Sequence, residues 1–416
     1  MKTITTYRYK LEPNKVQQAK LEQFSGVCRM VYNMGLEIKR DTYTLLRKSV
    51  SQAELQVQIK ELRKEFSFVK EVHSQVLQSS MDRLFLAYDN FFAGRAKYPK
   101  FRNKSLHNSF SYKQGISYSD THHVFLPKIG NVKYRNSRQI PMTAKIKGAT
   151  VKKEVKGWFV TVVFEFERVP APNPNKNLVV GIDLGVKEFA ILSTGETIAH
   201  PKTVAKYQKE LAKKQRALAR KKKGSKNRAK ARIKVAVVYA KIRNIRKDFL
   251  HKLSTRIVNE NQVIVLEDLN IKGMSKRCKP KKNKNGKHLR NNQSAKSGLN
   301  KAILDSGWGE FGQMVNYKAK WQNGQVITAD RWYASSKECS NCHEKNTELK
   351  LSDRTWICKK CGTLHDRDKN ASKNLEAVGH TVLARGNQHK AGDNIAPTLP
   401  DINSEARAVC PGNPLL

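Results

Sequence analysis

Leu178-Val-Val-Gly-Ile-Asp-Leu-Gly185 is a run of apolar, mostly β-forming residues interrupted by one carboxylate. Near-continuous runs of this kind mark strands buried on both faces, so the stretch is expected inside a sheet. An ionised, unpaired Asp183 there would cost on the order of several kcal/mol, so it needs a counter-charge or a metal. Gly185 permits a tight turn, and Glu188-Phe-Ala-Ile-Leu-Ser193 reads as the neighbouring strand. The pattern repeats in Gln262-Val-Ile-Val-Leu-Glu-Asp268, where Glu267 closes a second apolar run. Asp268 competes for the same role but is more simply read as facing solvent or capping the next turn. Sites in open α/β sheets gather at such strand ends.

A third acid stands in His365-Asp-Arg-Asp-Lys-Asn-Ala-Ser-Lys-Asn374. Asp368 precedes a helix-compatible run and is expected to project from the first turn, with Asp366 as runner-up. Any one of these acids could be an ordinary cap or ion-pair partner. Together, three carboxylates suit hard divalent cations, which take oxygen ligands. Two Mg²⁺ ions about 3.5–4 Å apart would activate a water and steady the leaving 3′ oxygen of a phosphodiester. Like charges at that spacing repel, so the site is expected to be incomplete without metal.

Cys339-Ser-Asn-Cys342 and Cys358-Lys-Lys-Cys361 are separated by fifteen residues. Two CxxC knuckles predict one closed, structural four-thiolate site for a single Zn²⁺. Trp356 and Trp332 are expected to pack around this ribbon, and Cys28 to be core. Cys278 and Cys410 fall in polar loops, and none of these three has a partner at ligand spacing.

The 416 residues include 80 Lys or Arg against 35 Asp or Glu, a formal charge of +45. That surplus calls for a polyanion, most simply nucleic acid. A membrane partner is disfavoured: no segment nears the roughly 18–20 apolar residues of a span, and MKTITTYRYK has no signal-peptide core. A cytoplasmic, nucleoid-associated protein of a bacterium or archaeon is expected. Residues 201–247 hold 19 basic residues and one acid, Glu210, and read as long helices broken at Lys223-Gly224-Ser225. Such an imbalance exceeds what a solvated face needs, so Lys221, Lys222 and Lys223 are candidate phosphate contacts. Basic and aromatic residues also interleave in Gly94–Lys104, where Tyr98, Lys100, Phe101 and Arg102 could stack on bases and meet phosphates. A solvated loop anchored by two aromatics fits that stretch equally well.

Elsewhere the pattern is coarser. Residues 14–93 read as helices, with apolar stripes at Val27, Met30, Val31, Met34 and at Leu77, Met81, Leu84, Tyr88, Phe91. Residues 108–170 read as short strands of a small barrel, with a hairpin turning at Gly157 and Trp158, Val160, Val162 and Phe164 on one face. Pro170–Pro174 reads as a stiff linker, Lys272–Lys301 as a flexible loop or lid, and the tail from 383 as disordered.

Assembled in order, these pieces resemble the TnpB family of insertion-sequence proteins, relatives of type V CRISPR effectors. The resemblance rests on Tyr9-Lys-Leu-Glu-Pro13, Val31-Tyr-Asn33, Tyr98-Pro-Lys-Phe-Arg102 and Gly181-Ile-Asp-Leu-Gly185. It continues through Glu267-Asp-Leu269, Gly307-Trp-Gly-Glu-Phe311, the CxxC pairs and His365-Asp-Arg-Asp-Lys-Asn370. It implies a mixed α/β multidomain protein: a wedge-like β-barrel (1–12 and 108–174), a helical recognition lobe (13–107), an RNase H-like RuvC domain (175–336 and 363–382) and a zinc-ribbon insert (337–362). It further implies a guide RNA from the element's own end and cleavage of double-stranded DNA beside a short flanking motif, with Asp183, Glu267 and Asp368 as the catalytic acids. Ser74, Gln75 and Gln78 are candidates by position to read that motif, though they read more simply as exposed helix polars. Three alternatives stay open. One is a guided repressor without cleavage, which should have replaced a carboxylate. The second is an RNase H-fold transposase or integrase, whose third acid is normally Glu. The third is a structural RNA-binding protein, which leaves Asp183 and Glu267 unexplained.

Overall fold

The structure, a computed structural model, describes residues 2–105, 107–141, 143–169, 177–350 and 352–384. The predicted linker at 170–174, Cys410 and the tail beyond residue 384 lie outside the described residues. The chain divides into two compact units, Met1–Val169 with Lys214–Ala240, and Pro170–Lys213 with Lys241–Leu416.

The first unit opens with β1 (Lys2–Leu11), whose alternation buries Tyr7, Tyr9 and Leu11. Pro13 stops the strand, and Asn14 with Gln17 forms a capping box that starts α1 (Lys15–Leu46). A second box, Ser51 with Glu54, starts α2 (Gln52–Glu65), followed by α3 (Ser67–Lys70) and α4 (Ser74–Phe92). Leu21, Phe24, Val27, Cys28, Val31 and Gly35 line the inner face of α1; Gly35 lets it approach Met81 and Leu84 of α4. Met30, predicted in that stripe, sits at the exposed edge because the buried arc runs through Val27, Val31 and Gly35.

The strands β2 (Ser109–Tyr112), β3 (Ser117–Tyr118), β4 (His123–Leu126), β5 (Gly130–Arg135), β6 (Lys145–Glu154) and β7 (Gly157–Glu167) join β1 in one sheet, ordered β2-β6-β7-β1-β5-β4-β3. Glu154 pairs with Gly157, so the hairpin turns at Val155-Lys156 and Gly157 opens the return strand with φ +117°. Trp158, Val160, Val162 and Phe164 do share its buried face. Flat geometry would hold β3 and β7 roughly 19 Å apart, four spacings of about 4.8 Å. Tyr118 and Phe164 instead stack with centroids 6.1 Å apart, so the sheet is rolled. Helices and sheet share one core, where Phe24 meets Phe110.

The second unit is built on β8 (Asn177–Leu184), β9 (Glu188–Leu192), β10 (Thr197–Ala199), β11 (Asn261–Glu267) and β14 (Gln325–Ala329), ordered β10-β9-β8-β11-β14. β8, β11 and β14 run parallel; β9 and β10 are antiparallel. Between β10 and β11 come α5 (Thr203–Ala219) and α6 (Lys226–Glu260). Between β11 and β14 come α7 (Ile271–Met274), β12 (Lys281–Lys282), β13 (His288–Leu289), α8 (Gln293–Ser306) and α9 (Trp308–Trp321). Lys272–Lys301 is therefore not simply a loop: its last third already belongs to α8, anchored by Asn300 and Ile303. The hairpin β15 (Thr355–Ile357) and β16 (Leu364–Asp366) precedes α10 (Arg367–Ala384), which covers 383 and 384, expected in the tail.

Period-two alternation sorts this sheet into two faces. Val180, Ile182, Ile264 and Leu266 pack with Leu250, Leu253 and Ile257 of α6 and Phe311 and Val315 of α9. Val179, Val263, Val265 and Ile327 point the other way and pack with Leu375 of α10. No helix among the described residues is long and apolar enough to cross a membrane.

Candidate active site and metal centre

The parallel register pairs Ile182 with Leu266 on adjacent strands. The next residues, Asp183 and Glu267, therefore lie side by side where β8 and β11 run out. By alternation both project on the face of Val179, Gly181, Val263 and Val265, the face covered by α10. Two glycines let α10 lie flush against it. A Cβ on Gly181 would overlap the Ser372 carbonyl oxygen and the Glu376 amide nitrogen, and one on Gly379 would come 2.5 Å from Val179 and 2.7 Å from Val265. Traced back from these contacts, the first turn of α10 reaches the strand ends and brings Asp368 toward the acid pair.

The electrostatics record this proximity. Burial, then the charges of Glu267 and Asp368, push the Asp183 carboxyl up to about 8. Burial also raises Glu267, offset by a Ser335 hydroxyl that donates to its Oε1 at 2.7 Å. Asp368 pairs with Arg354 through Oδ2 and with Arg367 through Oδ1, both at 3.1 Å. Asp366 instead accepts from the Lys369 amide at 3.0 Å as a helix cap, and Asp268 pairs with Arg331. Carboxylates crowded enough to raise one another, with all-oxygen donors, fit a hard divalent cation.

Sequence reading missed the polar clip behind Glu267. Ser335 is buried, and its carbonyl accepts from the Asn374 amide at 2.7 Å and from the Asn370 amide at 3.5 Å. The same two amides reach the Glu338 carbonyl at 2.7 and 2.6 Å, while Asn370 Oδ1 accepts from the Ser340 amide at 2.9 Å. The Asn370-x-x-x-Asn374 spacing on one helical face was the available signal.

Cys339, Cys342, Cys358 and Cys361 bring their sulfurs within 4.8 Å of one another, with Cys339–Cys361 at 3.6 Å and Cys342–Cys358 at 3.5 Å. A tetrahedron of roughly 2.3 Å Zn–S bonds separates its sulfurs by about 3.8 Å, so the cluster fits Zn²⁺. The Thr363 hydroxyl, 3.2 Å away, and the Thr363 amide draw the Cys361 thiol down to about 5. His365 lies with Nε2 3.0 Å from Cys339 Sγ and its ring against Trp356, which is buried. Trp332 does not pack around the ribbon; it is 87% exposed, because its amide caps on Asp330 and turns the ring outward.

Of the predicted nucleic-acid contacts, Lys100, Phe101 and Gln78 are exposed, and so are Lys221, Lys222 and Lys223 in the turn between α5 and α6. Tyr98 is partly anchored, its hydroxyl 3.0 Å from that of Tyr88. Arg102 is drawn inward. Its guanidinium lies 3.6 Å over the Tyr32 ring and its backbone is clasped by Asn33, so it pins the loop. Gln75 is half-buried.

Comparison with known proteins finds three family models along the chain: "Helix-turn-helix domain" at 1–48, "Probable transposase" at 161–278, and "Cas12f1-like, TNB domain" at 308–375. A protein of Escherichia coli K12 named "Putative RNA-guided DNA endonuclease InsQ" is 34% identical over 94% of this chain and 96% of its own. One of Streptomyces pristinaespiralis named "Putative RNA-guided DNA endonuclease" is 37% identical over 94% and 92%. Among solved structures, the Cas12f1 chain of a Cas12f1–sgRNA–target DNA complex shares the mixed α/β fold. Its TM-score is 0.57 at 11% identity, over 90% of this chain and 99% of that one.

Proposed function

The chain belongs to the TnpB family, and from that membership and its acid pair we propose an RNA-guided, magnesium-dependent double-stranded DNA endonuclease of an insertion sequence. The observation that carries the chemistry is the register of β8 and β11, which sets Asp183 beside Glu267 under the first turn of α10. Strand order β10-β9-β8-β11-β14, with its antiparallel first three strands, supports an RNase H-like, RuvC-type centre. The rolled sheet and helices of the first unit are assigned to the wedge and recognition lobe, and residues 337–362 to the zinc ribbon.

Asp183, Glu267 and Asp368 are the residues that would hold the catalytic Mg²⁺. When bound, the ions supply a nucleophilic water at neutral pH and charge at the leaving 3′ oxygen. The protein's own part is positional and electrostatic. Ser335 fixes one oxygen of Glu267, leaving the other for ligation. Asp183 holds its proton to about pH 8 in the chain alone and must release it from its carboxyl to act as a ligand. Arg354 and Arg367 pair with Asp368 and add positive charge beside the path of the phosphodiester. A guide duplex is held through its backbone in a positive channel, for which the +45 charge and the Lys221–Lys223 turn are suited. Partners are thus a guide RNA from the element's own end and a DNA target, in the cytoplasm of a bacterium or archaeon.

The test is to compare Asp183→Ala and Glu267→Ala with the parent as purified RNA complexes. Both variants should bind guide and target with parental affinity and form no cut product. Loss of RNA binding at unchanged stability would remove these acids from the cleavage role.

A further inference from the structure

We infer that Ser335 is a positioning residue for Glu267, held in place by the two α10 amides that also clasp the first cysteine knuckle. The inference rests on the reading of Asp183, Glu267 and Asp368 as a divalent-metal site. Glu267 is the last residue of β11, paired with Ala329 of β14, and this backbone pairing leaves its carboxylate free to rotate. The Ser335 hydroxyl at 2.7 Å is the donor that selects one carboxylate orientation. Ser335 cannot drift: it is buried, its carbonyl is bonded by Asn374, and its own amide donates to the Tyr333 carbonyl at 2.9 Å. Asn370 and Asn374 bond the Glu338 carbonyl, and Asn370 also bonds the amide of Ser340 inside the Cys339–Cys342 knuckle. One hydrogen-bonded chain therefore runs from the thiolate cluster through α10 to a carboxylate proposed to bind Mg²⁺. Outer-shell partners that orient ligating carboxylates typically change metal affinity or activity by about 10–100-fold when removed.

The test uses the full chain with its guide RNA and Mn²⁺ as the probe, counting bound Mn²⁺ by electron paramagnetic resonance alongside cleavage. Ser335→Ala should weaken Mn²⁺ binding by about 10-fold or more and raise the Mg²⁺ needed for cutting, with target binding and zinc content unchanged. Ser335→Thr, which keeps the hydroxyl, should restore both. Should Ser335→Ala lose zinc or target binding, Ser335→Cys keeps the volume with a far weaker donor and decides by the same shift. Parental Mn²⁺ affinity in the hydroxyl-free variant overturns the role of Ser335. Glu267→Ala separates the two levels. If it binds Mn²⁺ and cuts like the parent, the metal-site reading itself fails; if it loses both while Ser335→Ala is parental, only the role of Ser335 fails.

Discussion

Replacing Gly181 by alanine should damage cleavage without touching a ligand. The added methyl would overlap the Ser372 carbonyl oxygen and the Glu376 amide nitrogen, and would lie 3.0 Å from the Leu375 carbonyl carbon. All three are backbone atoms of one helix, so no side chain can rotate aside. Non-bonded carbon contacts settle near ~3.5 Å, so α10 must retreat by roughly 1 Å. Overpacking of this kind costs about 1–3 kcal/mol, which lowers Tm by several degrees in a unit of about 200 residues. Because Asp368 rides on the first turn of α10, the retreat also draws it away from Asp183 and Glu267. Misplacement by about 1 Å costs on the order of 100-fold in rate. The assay is single-turnover cleavage of a guide-matched plasmid, with guide binding and thermal melting measured on the same preparation. A cut slowed by about 100-fold with intact guide binding is expected. Parental rate and parental Tm together would refute the argument that α10 seats the third acid through Gly181.

Asp183 also predicts a pH dependence. Its folded pKa of about 8 lies above the ordinary value of 3.8, so between about pH 4 and pH 8 the folded state holds a proton that the unfolded state has lost. Metal-free protein should therefore lose stability as pH rises through that window, and Asp183→Asn should flatten the loss in thermal melts. By the same linkage, the Mg²⁺ concentration for half-maximal cutting should fall between about pH 6 and about pH 8; a constant requirement would count against it. Cys339→Ser should lower zinc content and destabilise the ribbon, measured by metal analysis and solubility, whereas a zinc-free, fully active variant would remove the structural-zinc assignment. Changing Lys221, Lys222 and Lys223 together to alanine should weaken guide-RNA binding and lower the salt slope, by about 0.7–0.9 for each phosphate no longer neutralised. An unchanged slope would take that turn out of the interface.

The three acids stand out in the sequence because a carboxylate in or beside an apolar strand is a local anomaly, visible without knowing what it packs against. The cysteine cluster was legible from spacing alone. Ser335 was not, since Ala334-Ser-Ser-Lys337 reads as a polar loop and its meaning depends on Glu267, 68 residues away in sequence. Gly181 looks like any other strand residue in the sequence, and its importance lies in α10, which packs against its Cα. Arg102 and Trp332 share one lesson: composition says which side chains could meet a base or a core, while local anchors decide where they point. Tyr32 and Asn33 draw Arg102 in, and the Asp330 cap turns Trp332 out. In Lys272–Lys301 the dense Lys and Asn hid the start of α8, whose buried face carries only Asn300 and Ile303 before Asp305.

The most direct measurement is programmable plasmid cleavage. The protein is expressed with the DNA downstream of its own gene fused to a chosen guide, purified with its RNA, and mixed with Mg²⁺ and plasmids carrying the matching target beside randomised flanks. Asp183→Ala is run in parallel. Linear product confined to a subset of flanks, and absent with Asp183→Ala, is the predicted result. Target binding without any cut in the parent protein, or equal cutting by Asp183→Ala, would contradict it.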